Sequence, residues 1–249
     1  MTESIYAAAY GAQSPLGKPY YTAGVSTDAM MSFRESAYGL SGAVIAATGV
    51  SDHGAFASAV EERLAEAAVG SKPEAVVSPY MGGETRVHAP SSGYANVVIA
   101  FEAPASSAMA GVIKQCMILA GVDAFVAPGL VGVYGGASAP EAAGIVDSLS
   151  AALTTVPVAD VISRAKGLAK AEALFGLDEG SKALAEAMTS GVLESGSFSA
   201  AGIAGEIDAI TAAQVKSALK AMIKSNPSVA SVGDISTIPY HATVAAQLS

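Results

Sequence analysis

The stretch GGETRVHAP, residues 82–90, gathers a glutamate, an arginine and a histidine that could act in acid–base chemistry or bind a metal ion. Glu84 and His88 lie four residues apart, so both side chains of a strand would face the same side. Two ligands do not make a metal site, and the sequence offers no third one nearby. The alternative is structural: Gly82 and Gly83 would turn the chain into a partly exposed strand, ETRVH. We favour this structural interpretation.

Histidine usage bears on the same question. The chain has three histidines, His53, His88 and His241, and none lies within five residues of another. The helical zinc motif H-x-x-E-H, whose inner glutamate activates water, is therefore absent from this sequence. His53 follows Asp52, which we expect to cap the start of a helix. The sequence thus predicts no catalytic, cofactor-binding or metal-binding residue in this chain.

A glycine-rich segment and the single cysteine could also take part in chemistry. GVYGGASAPE, residues 132–141, joins a strand to a helix through glycines, as phosphate-binding loops do. It lacks G-x-G-x-x-G, and Glu141 would lie where an anion would bind, so we predict a plain strand-to-helix connection. The single cysteine, Cys116, excludes an intrachain disulfide and a cysteine-based zinc site. It lies in an apolar helical segment, which predicts a buried and unreactive thiol.

Composition limits the classes of partner. The 22 acidic residues outnumber the 13 basic ones, giving a net charge of −9, which argues against nucleic-acid binding. The longest uncharged run, residues 124–140, is interrupted by Pro128 and several glycines, so we predict no membrane-spanning helix. Met1 is not followed by the pattern of a signal or transit peptide. Apolar residues make up 51% of the chain, which favours a buried core and a large contact with other proteins.

Short apolar runs rich in β-branched residues predict the strands. ETRVH is expected to pair beside the run at 95–101. The predicted strands are 42–50, 84–88, 95–101, 130–134 and 228–233.

Capping signals and apolar periodicity predict the helices that separate these strands. Ser138 with Glu141 and Thr211 with Gln214 have the spacing of capping boxes. The apolar stripe of the last helix consists of Val215, Leu219 and Met222. The predicted helices are 51–69, 106–121, 138–154, 157–175, 179–193 and 212–225.

A weak internal repeat relates residues 27–49 to residues 211–233. Each copy runs from a capping threonine through a helix and a turn to an apolar strand that ends at a glycine. Self-similarity over such a distance predicts tandem domains rather than a solenoid. We therefore expect residues 1–51 to be the C-terminal part of a first domain and residues 52–249 to be a complete second domain of the α+β class.

Four segments in order resemble one known family: SPLGKPYYTAG with STDAMMSFRESAYGLSGAVIAATGVS, YMGGETRVHAPSSGYANVVIAFEAP, DVISRAKGLAKAEALFGLDEGSKALAEAMTSG, and EIDAITAAQVKSAL followed by SVASVGDISTIPY. The chain resembles the mitochondrial processing peptidase and complex III core protein family over almost its whole length. The resemblance implies a metallopeptidase-like α/β sandwich, in which helices back a mixed sheet. Full subunits of the family are longer, and contain two such domains.

The resemblance also implies a function. It suggests a non-catalytic structural subunit of respiratory complex III, peripheral to the mitochondrial inner membrane on its matrix side. The implied partners are other core-like or peptidase-like subunits, including a chain that supplies the missing first domain, and membrane subunits indirectly. The alternatives are the half of a split processing peptidase that does not bind zinc, or a scaffold in another mitochondrial complex. Residues 121–129 are shorter than the family's segment with its glycine-rich loop, so peptide handling is not carried over.

The predicted strand 42–50 has a consequence for assembly. Burying one aliphatic side chain stabilises a protein by about 1.5–3 kcal/mol. Leaving Val44, Ile45 and Val50 in water would thus cost several kcal/mol, which is comparable with the stability of a whole domain. We therefore expect another polypeptide to cover residues 1–50 through an obligate interface larger than about 1,600 Å².

Overall fold

The computed structural model describes residues 1–21, 24–67, 69–70 and 77–248. The chain forms two compact units, and each is treated by itself below. The first unit comprises Met1–Tyr20, Val77–Lys170 and Ala204–Ser249, and the second comprises Tyr21–Val76 and Ala171–Ile203.

The described residues form ten α-helices and five strands. The helices are α1 Thr2–Tyr10, α2 Thr27–Ala37, α3 His53–Leu64, α4 Ser107–Leu119, α5 Ala142–Thr154, α6 Val158–Asp178, α7 Ser181–Ser195, α8 Ala200–Ala209, α9 Ala212–Lys224 and α10 His241–Leu248. The strands are β1 Gly83–His88, β2 Tyr94–Glu102, β3 Asp123–Ala127, β4 Leu130–Ser138 and β5 Ser228–Gly233.

The five strands form one mixed sheet in the order β1-β5-β2-β4-β3. β5 pairs in parallel with β1 and antiparallel with β2, while β2–β4 and β4–β3 are antiparallel. The predicted strands 95–101, 130–134 and 228–233 therefore do share one sheet. The expectation that ETRVH pairs beside 95–101 is wrong, because β5 lies between β1 and β2. Alternating polarity indicates a strand but does not identify its neighbour.

Strand β3 is not among the predicted strands and lies within residues 121–129, the segment that is shorter than its counterpart in the family. β3 pairs with β4 across a tight turn at Pro128 and Gly129. Gly129 has a φ of +78°, a left-handed conformation that glycine adopts without strain. This hairpin makes β3 one edge of the sheet, and β1 is the other.

Helices α4, α5 and α9 cover one face of the sheet. Val97, Ile99 and Phe101 of β2 alternate toward this face, and all three are fully buried. Gly135 of β4 lies directly beneath α5, because a side chain there would touch Ile145. The mixed sheet backed by helices confirms the predicted α+β fold class.

Helix α1 covers part of the opposite face, and the sequence analysis does not predict it. Ile5, Tyr6, Ala9 and Tyr10 pack with a cluster on the sheet that consists of Val98, Ala100, Leu130 and Ala230. The Tyr6 hydroxyl donates to the Pro128 carbonyl at 2.8 Å, and that of Tyr10 donates to the Gly129 carbonyl at 3.1 Å. Two hydroxyls thus tether α1 to the β3–β4 turn.

The predicted helix caps have different outcomes. The Asp52 side chain accepts from the Ala55 amide at 3.0 Å, as predicted. Thr211 and Gln214 form a complete capping box at the start of α9. Ser138 instead donates to the Glu141 carboxylate at 2.9 Å, and the 3₁₀ turn Ala139–Glu141 precedes α5. The predicted capping box of Ser138 and Glu141 is therefore wrong, because the Ser138 side chain caps no backbone amide.

The second unit contains α2, α3, α7 and the segment at 42–50. No strand forms at 42–50, contrary to prediction. A turn closed by the Ala43 amide on the Leu40 carbonyl opens this segment, and Gly42 and Gly49 both have positive φ angles. Strand propensity reflects how side chains fit a pleated surface, but a strand also requires a neighbour for its backbone groups. The boundary between residues 51 and 52 stays a prediction.

Among the described residues, no single helix is both long and apolar enough to cross a bilayer. One pair of helical segments, Ala139–Thr154 and Val158–Asp178, meets the length and composition requirement together but is bent by 96°.

Candidate functional site

The candidate residues of GGETRVHAP lie on β1, where Glu84 and Arg86 form an ion pair. Arg86 Nη1 lies 2.9 Å from Glu84 Oε1, and each side chain is only about one-fifth exposed. His88 ends the strand and is exposed. The Glu84 carboxylate, a candidate for catalysis or metal binding, is therefore paired with Arg86 on the same face of the strand.

Arg86 also holds the segment that follows β5. Its guanidinium donates to the carbonyls of Ile235 at 2.9 Å, Ile238 at 3.1 Å and Pro239 at 3.3 Å. Its Cζ atom lies 4.5 Å from the centre of the Tyr240 ring, which fits a cation–π contact. Arginine can serve this many acceptors because its planar group carries five N–H donors. Arg86 therefore joins the edge strand β1 to residues 235–240, which follow β5.

The two other histidines have different surroundings. His53 is exposed at the start of α3, and the His241 Nε2 atom lies 2.9 Å from the Pro227 carbonyl oxygen. Across the part of the chain that the structure describes, no three histidine, cysteine, aspartate or glutamate residues are placed to share a metal ion. The ion pair with Arg86 thus supports a structural role for Glu84.

A half-buried tyrosine, Tyr80, lies beside β1, and no local sequence pattern identifies it. The Tyr80 hydroxyl donates to the Asn226 carbonyl at 2.8 Å and accepts from the Ser228 hydroxyl at 2.9 Å. Burial raises the pKa of Tyr80 to about 12, so the phenol stays neutral at physiological pH. Gly82, at a φ of +69°, allows the backbone to approach the Asn226 carbonyl so closely that a Cβ atom would collide with it. This network positions β1 rather than a reacting group.

A pocket of about 320 Å³ opens between α1 and the sheet. Apolar and aromatic groups dominate its lining, including Ile5, Tyr6, Val98, Phe125 and Tyr134. Burial is the main cause that raises the pKa of Tyr6. The lining includes no carboxylate, imidazole or thiol, so the pocket can hold an apolar group but provides no acid–base pair.

The glycine-rich segment 132–141 is not a phosphate loop. Gly135 and Gly136 lie inside β4, where Gly136 pairs with Asn96 of β2. A Cβ atom at Gly136 would collide with the Tyr94 ring, which explains the small residue there. The predicted plain connection from strand to helix is confirmed. Cys116 is fully buried in α4, and burial raises the pKa of its thiol to about 11, which matches the predicted unreactive thiol.

Two lysines of α6 bind the C-terminal end of α8, and no local sequence pattern predicts this contact. Lys166 Nζ donates to the carbonyls of Asp208 at 2.7 Å and Ile210 at 2.9 Å. Lys170 Nζ lies 2.9 Å from Asp208 Oδ1, and this hydrogen bond is the main cause that lowers the pKa of Asp208. Cations at the C-terminal end of a helix interact favourably with its dipole. The i,i+4 spacing of Lys166 and Lys170 is visible in the sequence, but their contact with the end of α8 is not.

The chain is similar to known proteins in both sequence and fold. No protein-family model matches the chain. The mitochondrial cytochrome b-c1 complex subunit 2 of Cryptococcus neoformans var. grubii is 30% identical over an alignment of 252 positions, which covers 87% of this chain and 56% of that protein. A chain of the solved structure of complex III2 from Candida albicans with Inz-5 bound superposes with a TM-score of 0.69 at 18% identity. That match covers 79% of this chain and 56% of the other. The chain thus spans about half the length of these relatives.

Proposed function

We propose that this chain belongs to the core protein 2 family of the cytochrome b-c1 complex over the portion that it spans, and that it is a structural subunit of mitochondrial respiratory complex III. One observation carries the proposal: the similarity to cytochrome b-c1 complex subunit 2 extends over 87% of the chain at 30% identity. The mixed sheet backed by helices gives the same fold as a chain of a solved complex III2.

The proposed role is non-catalytic. The sequence of this chain contains no H-x-x-E-H, and its charged candidates are engaged in structural contacts, such as those of Arg86 with Glu84 and three carbonyls. Burial raises the pKa of the half-buried Tyr80 and of the fully buried Cys116, which favours the neutral form of each. These groups stabilise the fold and offer no activated nucleophile or general base.

The proposed partners are other core-like subunits of the complex, one of which would cover helix α2. Helix α2 buries none of its eleven residues within this chain. Phe33 is 62% exposed and Tyr38 is 76% exposed, next to the exposed Met30 and Met31. A helix this short is marginal in water without packing. These residues and the exposed Ile45 support a cover provided by another polypeptide over residues 27–45. Helix α1, also within the expected range 1–50, is instead buried against the sheet of this chain.

The proposed position is peripheral to the inner membrane on the matrix side. Two observations support it: the family has a mitochondrial member in the cytochrome b-c1 complex, and the net charge of −9 disfavours contact with an anionic lipid surface. Contact with the membrane would then be made through other subunits of the complex.

The test is to place an affinity tag on the full chain in its source cells, purify it in mild detergent, and identify its partners by native mass spectrometry. Co-purification with cytochrome-containing subunits and with a second core-like chain is the expected result. Recovery as a lone monomer would contradict the proposal. Recovery with a chain that carries an intact H-x-x-E-H and has peptidase activity would favour the split processing peptidase instead.

A further inference from the structure

A row of lysines lies along one face of helix α9. Lys216, Lys220 and Lys224 follow one another at intervals of four residues, so they form a row of about 12 Å on one face of the helix. All three are exposed. Among the described residues none of them has a carboxylate within ion-pair distance. Like charges at this spacing disfavour a helix, so the row has no local benefit.

The lysine row borders a groove with an apolar floor. The groove has a volume of about 350 Å³ and lies between α9, the connection from α5 to α6, and the end of α10. Its floor is formed by the buried Leu153, Leu219 and Leu248, and the half-buried Ile223 lines its wall. Beyond Lys224 a second concavity continues along Asn226 and Pro227. The surface is therefore elongated, apolar at depth and cationic along one rim.

We propose that this groove docks an acidic amphipathic helix of a partner protein. Apolar side chains of that helix would enter the groove, while carboxylates spaced by one helical turn would lie opposite Lys216, Lys220 and Lys224. Helices bind apolar grooves in this way through anchors at i, i+3 or i+4, and i+7. Charge complementarity fixes the class of partner, because a cationic row on a chain with a net charge of −9 selects a locally acidic surface.

The shape of the groove favours a helix over a lipid surface. Residues that enter a bilayer protrude from the protein, whereas the apolar residues here are recessed, with Leu219 only 5% and Leu248 only 4% exposed. A recessed apolar floor receives a protruding ridge of side chains. The remaining acidic surface of the chain would also be repelled by anionic lipids.

The first test uses the tagged full chain in its native assembly. The variant K216E/K220E/K224E reverses the row, K216R/K220R/K224R keeps its charge, and K182E reverses a lysine that is exposed on α7. We expect the triple glutamate variant to reduce recovery of the bound partner about 100-fold or more, because like charges would then oppose each other. The arginine variant and K182E should retain the partner. If the triple glutamate variant recovers as much of the partner as the wild type does, the proposal is overturned.

A second measurement decides the matter even if the triple variant fails to fold. A carbodiimide cross-linker, applied to the wild-type assembly, joins lysine amines to carboxylates that touch them, and mass spectrometry identifies the joined residues. Links from Lys216, Lys220 or Lys224 to acidic residues one turn apart in one segment of another chain support the proposal. Links only within this chain overturn it. So does binding of the purified chain to phosphatidylglycerol vesicles that K220E abolishes, since the row would then serve a membrane.

Discussion

Arg86 shows how a residue with catalytic character can serve structure alone. Its guanidinium satisfies the carbonyls of Ile235, Ile238 and Pro239, which are part-buried with it. Substitution of Arg86 by Met would leave these acceptors without a donor, and an unsatisfied buried polar group costs about 1–3 kcal/mol. We expect the free energy of unfolding to fall by about 2–4 kcal/mol in a urea titration.

The substitution of Arg86 by Lys is the matched control. It keeps the charge beside Glu84 but replaces a planar fork by a point donor, which cannot reach the same set of carbonyls. Its loss of stability should lie between those of the wild type and Arg86→Met. If Arg86→Met were as stable as the wild type, the contacts to the segment after β5 would contribute nothing measurable.

Asp208 provides a prediction about pH. The hydrogen bond from Lys170 lowers the pKa of this carboxyl below its ordinary value. A lowered pKa in the folded state means that the contribution to stability is present above the unfolded pKa of about 3.9 and is lost as the pH falls through the folded pKa. NMR titration of the side chain should show this low pKa. Lys170→Met should move the pKa upward, whereas Lys182→Met, which alters an exposed pair with Glu186, should leave it unchanged.

At the residue scale, sequence separation decides what can be predicted. The capping box of Thr211 and Gln214 is local, so spacing alone identifies it. The Ile235 carbonyl lies 149 residues from Arg86, and the Asp208 carbonyl lies 42 residues from Lys166. No local pattern reports partners at such distances. The chemical nature of Arg86 is thus visible in the sequence, but its structural function is not.

At the scale of elements, helix α1 depends on the sheet it covers. Its nine residues are too few for an isolated helix in water, so packing must stabilise it. Ala9 is fully buried against the sheet. Substitution of Ala9 by Asp would place an unpaired carboxylate there, and we expect a loss of about 3 kcal/mol or more in the free energy of unfolding. Hydrogen exchange at residues 5–10 should increase with it.

The half-buried Ala7 of the same helix is the control for Ala9. Ala7→Asp introduces the same charge where water can reach it, so its loss of stability should be clearly smaller. Equal effects at both positions would mean that α1 responds to a change in helix propensity rather than to burial.

The elements also show which patterns predict structure. Helix α9 is predicted correctly because Val215, Leu219 and Met222 repeat with the period of a helix and all three are buried. β3 has five residues, too few for alternation to stand out. The run at 42–50 is wrongly predicted as a strand, because β-branched residues favour a pleated surface only where a neighbouring strand exists.

At the scale of the whole molecule, the exposed residues around α2 point to assembly. Ile45 is 52% exposed and lies in the segment that we expect a partner to cover. Substitution of Ile45 by Asp should leave residues 77–248 folded but prevent incorporation into the parent complex, because a charge would be buried at the interface. Native gel electrophoresis of the tagged variant measures this directly.

Leu193→Asp is the control for Ile45→Asp, since Leu193 is an exposed apolar residue of α7 in the same unit. We expect this variant to assemble normally. Normal assembly of Ile45→Asp would instead mean that the segment is not covered by another polypeptide, and the proposed cover of residues 1–50 would be wrong.

The position of β5 constrains the order in which the molecule can be made. Of the five described strands, β5 is the last to leave the ribosome, yet among them it alone pairs with β1, and it also pairs with β2. Until it arrives, the nascent chain holds an incomplete sheet, and closing so long a loop slows folding. Nascent chains arrested before residue 228 should therefore remain sensitive to protease, and resistance should appear only once β5 has left the ribosome.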